Sequence, residues 1–600
     1  MAMYGLEAEE YDRSYKDRDL IRRILSYFRP QLKPMIIVII FLSLYSIGNV
    51  FIPILSANIL NVLETTGDPI FLIVVISLIF ILNLLTYIFN YFRQKYSSRA
   101  IGDVVLDLRR AATTAALNRD LSFFDKNPLG KIVSRINTDS RDFGDAVDLT
   151  IQFISSLFVV ILIGAYMFSI NLFLSFIFIA TIPLFFLIAI IYRNIARRAT
   201  LLGQRSMARV NAFFQETLSG IKIAKTFRQE PKLYKEFTDI NVQTYKVNLK
   251  RGYILNFIFP TLSVVQGVVI ALLVYFGGAA VLGSQIRAGD LYLFLQGIWL
   301  LFFPLFTIAA FWPQFQAALS ASERIFAIID APPVVVQQDN IKPTEFKGEI
   351  EFQNVTFQYD EKSKVLDNFS LRIRPGESIA IVGHTGAGKS TIAKLLNRFY
   401  EFQEGDILID GTSIRKFDLT AYRKFIGYIP QTPFLWAETI ENNIRTKESD
   451  TKEEIIWALD QAGGSDWIDD LGSNGLKTNV GERGNLLSVG QRQLVALARV
   501  LLENPSIVIL DEATASIDPF TETRIQDALE KILQNRTSII IAHRLWTVRK
   551  ANRIIVLDHG TIVEEGNHDA LMAKRGIYAT LYNTYFRHQS LEYIKKCKEI

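Results

Sequence analysis

Cysteine is almost missing from this chain. Cys597 is the only one in 600 residues, so no intrachain disulfide can form and a Cys-based metal cage is excluded. Histidine is scarce, with five residues scattered along the chain. Charge is thin: Asp, Glu, Lys and Arg make up 21% against 50% hydrophobic residues, among them 43 Phe. With a mean hydropathy of +0.21 this excludes a disordered or wholly soluble chain. A net charge of +5 over this length is too weak to argue for nucleic acid and fits basic loops beside a membrane better. The start also lacks a basic-then-apolar leader, since Glu7 to Arg23 is charged, and no cleavable signal peptide is expected.

What is present changes sharply along the chain. Long apolar runs fill it to about Trp312, and ordinary globular sequence follows from about Gly348 to Tyr582, with the helical pattern broken at Ala331-Pro332-Pro333. Six runs reach the roughly 20 residues needed to cross a hydrocarbon core: Met35 to Leu60, Pro69 to Phe92, Leu149 to Phe168, Leu172 to Tyr192, Leu255 to Leu282 and Leu291 to Trp312. The expected organisation is a membrane domain over 1–330, a linker over 331–347, a second domain over 348–590 and a tail over 591–600.

Basic residues beside the spans set the orientation, because Lys/Arg-rich flanks stay cytoplasmic. Arg93, Lys95, Arg99, Arg109 and Arg110 follow the second run, Arg193, Arg197 and Arg198 the fourth, and Lys246, Lys250 and Arg251 precede the fifth. All fall on one side, so both termini are expected in the cytoplasm. Arg22 to Phe28 reads as a short amphipathic helix lying on the membrane surface. Two long connections on the same side, Gln94 to Asp148 and Arg193 to Tyr253, carry helical periodicity. The first contains a tight reversal at Phe123 to Gly130, in which Phe124 is expected to be a buried anchor.

The second domain opens on phosphate chemistry. Ser378 to Val382 reads as a buried strand that runs into Gly383-His384-Thr385-Gly386-Ala387-Gly388-Lys389-Ser390 and then a helix from Thr391. In that pattern the loop amides cradle phosphate at a helix N-terminus, Lys389 reaches the β- and γ-phosphates and Ser390 ligates Mg²⁺. Ser506 to Glu512 is an apolar strand ending in two carboxylates; Asp511 suits the metal and Glu512 the general base. Ser538 to His543 is a further buried strand whose His543 is placed to meet the γ-phosphate.

Together these residues resemble the ATP-binding cassette transporters, and specifically exporter-type half-transporters with six spans fused to one nucleotide-binding domain. The most specific piece is Leu487-Ser488-Val489-Gly490-Gln491-Arg492-Gln493, which is similar to the family signature and sits shortly before the acidic strand. The fold implied is a helical membrane bundle plus an α/β P-loop ATPase domain. By the same resemblance Tyr359 stacks on adenine, Gln431 links Mg²⁺ and water to the membrane domain, Asp518 belongs to a loop at the dimer interface, and Ser488, Val489, Gly490 and Gln491 close the ATP site of a partner. Phe124 with Asp125, Gly130, Ser134 and Arg135 resembles a coupling loop.

The chain departs from the pattern at Val489, which replaces a glycine, and at Ala515-Ser516-Ile517-Asp518. A β-branched residue cannot readily take a positive φ, so Val489 weakens that site if the position demands one. The implied partner is a second half-transporter, with homodimer and heterodimer both open. The function implied is ATP-driven export by alternating access, with ATP and Mg²⁺ required and no nucleic acid involved, in the cell membrane. The spans hold no Asp, Glu, Lys or Arg; amides and phenols such as Tyr45, Asn49, Asn83, Asn90, Gln152, Gln266, Tyr275 and Gln296 amid many Phe suit amphiphiles: drugs, lipids or apolar peptides. Lipid translocation between leaflets and an ATP-regulated channel or receptor are the alternative readings.

Overall fold

The computed structural model describes residues 15–66, 69–360, 363–464, 467–468, 472–511, 518–541 and 545–586. The chain forms two compact units, one of residues 1–118 and 129–331 and the other of residues 119–128 and 332–600.

The described residues of the first unit form helices and the short turns between them. It comprises α1 (Asp17–Phe28), α2 (Leu32–Thr66), α3 (Pro69–Leu117), α5 (Leu129–Ser134), α6 (Ser140–Ile170), α7 (Leu172–Ser219), α8 (Ile221–Thr226), α9 (Glu230–Leu282) and α10 (Ala288–Asp330); α4 (Leu121–Lys126) falls in the second unit. Six of the helices are long and apolar enough to cross a membrane. At about 1.5 Å per residue, the 48 residues of α7 and 53 of α9 far exceed a hydrocarbon core of about 30 Å, so each apolar run continues as one helix into its charged extension.

The bundle centre is an apolar cluster that includes Ile163, Met167, Phe178, Leu273 and Phe294. Towards the chain's charged extensions, Asp139 receives a bidentate pair of hydrogen bonds from Arg324, at 2.8 and 2.7 Å, within a π-helical turn at Arg135–Asp139. Helix α1 packs part of its apolar face against the other helices of the unit. Its Leu20 and Phe28 are buried with Val104, Leu108, Phe143 and Phe326, while Leu25 stays exposed.

The second unit is α/β. A four-stranded antiparallel sheet in the order β2-β1-β4-β5 is built from β1 (Ile350–Gln358), β2 (Lys364–Ile373), β4 (Glu404–Ile409) and β5 (Thr412–Ser413). A six-stranded sheet in the order β10-β9-β3-β8-β7-β6 is built from β3 (Ser378–Val382), β6 (Ile426–Ile429), β7 (Ile507–Asp511), β8 (Thr537–Ile541), β9 (Arg553–Asp558) and β10 (Thr561–Gly566). Strands β6, β7, β8, β3 and β9 run parallel, and the unbroken apolar runs of β3, β7 and β8 follow from burial on both faces. That pairing sets the C-terminal ends of β3, β8 and β7 side by side at one edge, where ligands of open parallel sheets bind.

Candidate functional site

At that edge the chain leaves β3 and turns through Gly383 to Gly388 into α11 (Lys389–Leu396). Gly386 and Gly388 have φ of +87° and +101°, in the region that favours glycine. At Gly388 a side chain is disfavoured twice over, since a Cβ would also lie 3.1 Å from the Val365 carbonyl oxygen, a tight contact. His384, Thr385 and Gly386 form an exposed rim, whereas Ala387, Gly388, Lys389 and Thr391 are buried.

Lys389 folds back over the loop, its Nζ donating to the carbonyl oxygens of Gly383 and His384, each at 2.8 Å. Burial lowers the pKa of this ammonium, and the nearby Asp511 carboxylate works against that shift. Ser390 Oγ lies 3.5 Å from Asp511 Oδ1, so hydroxyl and carboxylate face each other across the ends of α11 and β7. Tyr428 on β6 has its phenol pushed up to about 12 by burial and by Asp511, and it remains neutral beside that carboxylate.

Tyr359 is partly exposed, with its hydroxyl 3.2 Å from Thr391 Oγ1 and its ring edge-on to Tyr400 at 5.1 Å. Lys394 Nζ lies 5.4 Å from the Tyr359 ring centre. Gln431 is exposed, two residues beyond β6. Asp518 caps the helix Pro519–Leu533 by accepting from the Thr521 amide at 2.9 Å, which holds its carboxyl below the ordinary range. Glu512, Ala515 to Ile517 and His543 lie outside the described residues.

Ser488 caps the helix Val489–Glu503 in a capping box: its hydroxyl accepts from the Gln491 amide at 3.2 Å, and the Gln491 side chain accepts from the Ser488 amide at 2.8 Å. Val489 occupies the first helical position without a positive φ and is exposed, while Gly490 is buried. The backbone argument against valine therefore does not apply in this conformation.

The reversal at 119–128 packs within the second unit. Tyr400 donates from its hydroxyl to Asp125 Oδ2, and Asp120 accepts from the amides of Val334 at 2.7 Å and Val335 at 3.1 Å. Burial alone would raise the Asp120 pKa; hydrogen bonds from Ser122 and from those amides outweigh it and hold the carboxyl below its ordinary value. The expected anchor is displaced by one residue: Phe123 is buried at 9% exposure, whereas Phe124 is half-buried and meets the Phe123 ring edge-on. In a helix of six residues successive side chains point about 100° apart, so of two adjacent Phe one turns further inward than the other. Asp120 and Tyr400 were not singled out from sequence; no motif marks either.

Within the membrane unit a cavity of about 390 Å³ brings Tyr45, Asn49 and Gln152 together with Arg93, Trp299 and Phe303. The other polar groups named from sequence are dispersed. Asn83 donates to the Ile79 carbonyl of its own helix, Gln296 pairs with Tyr292, Gln266 is buried, and Tyr275 is exposed. Asn90 holds Arg93 at 2.9 Å, and Arg93 lies 5.2 Å from the Tyr45 ring centre. Although Arg93 stands just past an apolar run in the sequence, it contributes a cation to this cavity.

A phosphate-cradling loop between a parallel strand and a helix, carried on a chain with six membrane-length helices, defines an ATPase fused to a membrane domain. The family models agree: residues 35–305 match the ABC transporter transmembrane region and residues 366–515 match the ABC transporter model. The chain is 34% identical to an ATP-dependent lipid A-core flippase of Syntrophus aciditrophicus (strain SB), over 84% of each chain. It is 30% identical to the ABC-type oligopeptide transporter ABCB9 of Mus musculus, over 94% of this chain and 74% of that one. It is 35% identical to a fatty acid ABC transporter ATP-binding/permease protein of Mycobacterium bovis, over 76% of this chain and 73% of that one. The chain belongs to the ABC transporter family. It is an integral multi-pass membrane protein of the exporter half-transporter type, which hydrolyses ATP to drive transport, and with one phosphate loop and one signature per chain this architecture implies assembly with another half-transporter.

Proposed function

We propose that the chain exports an amphiphile across the cell membrane, with the nucleotide-binding domain and both termini in the cytoplasm, and that ATP binding between two half-transporters drives the switch of access. The observation that carries the residue assignment is the meeting of Lys389, Ser390 and Asp511 at the end of β3 and β7. Lys389 is already held over the loop by two carbonyl oxygens, so it is placed to exchange them for β- and γ-phosphate oxygens. Ser390 and Asp511 supply a hydroxyl and a carboxylate, hard oxygen donors suited to Mg²⁺. A Mg²⁺ ion held by them would neutralise charge developing on the phosphoryl group.

Tyr359 offers its exposed ring to adenine, Glu512 orients the attacking water as general base, and His543 and Gln431 complete the γ-phosphate end. Ser488, Gly490 and Gln491 at the start of the helix Val489–Glu503 serve the partner's ATP, with Asp518 beside them. The cavity with Tyr45, Asn49, Gln152 and Arg93 is the substrate site: aromatic and aliphatic surface on one side, amides, hydroxyls and one cation on the other. The relatives named for a lipid, a fatty acid and an oligopeptide support an amphiphilic cargo.

Glu512→Gln in the purified protein should retain ATP binding and lose about 10²-fold or more in hydrolysis. Near-normal turnover would remove Glu512 from that role.

A further inference from the structure

A groove of about 550 Å³ runs between α7 and α9, apart from the cavity just described. Its walls carry three cations, Arg198, Lys250 and Arg251, and aliphatic surface that includes Ile195, Leu202 and Ile254, and no carboxylate lines it. Arg251 is held in place: its stem lies against Gly203, where a Cβ would come within 2.8 Å of Arg251 Cδ, and Ser206 Oγ bonds Thr244 Oγ1 at 2.6 Å across the same crossing.

The charge on this guanidinium is not answered by the protein. Arg251 Nε is buried with no hydrogen-bond partner, and its Nη1 reaches only Asn248 Oδ1 at 3.4 Å. Neither Arg198 nor Lys250 has a carboxylate within ion-pair distance among the described residues. Three like charges around one half-open groove, with a buried N–H left over, lack an anion.

Depth names the kind of anion. Arg198 lies six residues, about 9 Å, past the end of the apolar run at Tyr192, and Arg251 lies four residues, about 6 Å, before the run that begins at Leu255. The headgroup layer extends about 5–7 Å beyond the hydrocarbon core, so Arg251 stands within it and Arg198 just beyond it, close enough for its long side chain to reach back. We propose that this groove binds the phosphate of an anionic phospholipid of the cytoplasmic leaflet, with Arg198, Lys250 and Arg251 on the phosphate and the aliphatic wall against the upper acyl chains. The site rests on the membrane orientation proposed above. Basic pockets between membrane helices at this height suit such headgroups.

The test uses the full-length protein in phosphatidylcholine nanodiscs carrying a minor fraction of photoactivatable phosphatidylglycerol or, in parallel, photoactivatable phosphatidylcholine, without ATP. Peptides covering 194–202 and 247–254 should be labelled about fivefold or more by the anionic probe over the zwitterionic one. The double variant Arg198→Gln/Lys250→Gln, which changes only exposed side chains, should remove that preference, and Arg251→Lys should keep part of it. Equal labelling by the two probes, or a preference unchanged in the double variant, overturns the proposal. Loss of labelling under excess inorganic phosphate overturns the lipid assignment in favour of a free-phosphate site. Capture of a second copy of the chain, instead of lipid, by a photoreactive residue at Leu202 overturns it in favour of a subunit interface. Because no nucleotide is present, these outcomes are independent of whether Glu512→Gln or transport assays uphold the export reading.

Discussion

The hydroxyl of Tyr400 hydrogen-bonds Asp125 Oδ2 at 2.5 Å, joining positions 275 residues apart in sequence. The Tyr400 ring meets Tyr359 edge-on, and the Tyr359 hydroxyl meets Thr391 on α11, so three contacts connect the 119–128 reversal with the helix that follows the phosphate loop. Tyr400→Phe and Asp125→Asn should each lower transport per ATP hydrolysed. A hydrogen bond to a charged acceptor is worth about 1.5–3 kcal/mol, so the two losses should not add in a double-mutant cycle. Additive losses would show that the contact carries no coupling. Burial and then Asp125 raise the Tyr400 pKa above its ordinary 10, so the phenol stays protonated at neutral pH and its contribution is lost only as pH rises through the raised value.

Phe123→Ala should cost more than Phe124→Ala. Truncating a buried Phe costs about 3–5 kcal/mol, and Phe124 is the less buried of the two. Transport per ATP at equal membrane insertion should therefore fall further in Phe123→Ala; the opposite ranking would return the anchor role to Phe124.

Val489→Gly should bring no gain. The position is helical, so glycine relieves no strain there and adds up to about 1 kcal/mol of helix cost. ATPase of the assembled transporter should change by less than about threefold. A rise of tenfold or more would mean that the valine side chain itself obstructs the partner's nucleotide.

His568 predicts a pH effect in the ATPase unit. Its Nδ1 lies 2.8 Å from the hydroxyl of the buried Tyr578, and burial, followed by Arg549, lowers its pKa below the ordinary 6.5. The unfolded chain then binds the extra proton more readily, so the stability contribution is full above about pH 6.5 and falls as pH drops through the lowered value. His568→Gln should flatten thermal stability between neutral and mildly acid pH; an unchanged profile would exclude this histidine as its source.

Strands were legible in the sequence where burial on both faces leaves unbroken apolar runs, as in Ser378 to Val382, and so was the loop after them, because its glycines answer a backbone requirement. The six spans were legible for the same reason, since only length and lack of charge decide them. Helical phase was not. Which of Phe123 and Phe124 turns inward depends on the neighbours of a six-residue helix, and nothing in a span list says that Arg93 faces a cavity rather than a headgroup. Asp120 and Tyr400 were invisible because their partners are 214 and 275 residues away. The roles of Glu512 and His543 rest on motif alone, as both fall outside the described residues.

The ten residues from Arg119 to Pro128 belong to the compact unit of the ATPase domain although they sit between two helices of the membrane unit. A soluble fragment beginning at Pro332 would therefore be an incomplete protein. The Val334 and Val335 amides would lose Asp120, and the Tyr400 hydroxyl would lose Asp125. Such a fragment should be less stable than its sequence suggests, and a synthetic peptide of residues 119–128 added in trans is the natural means of restoring it.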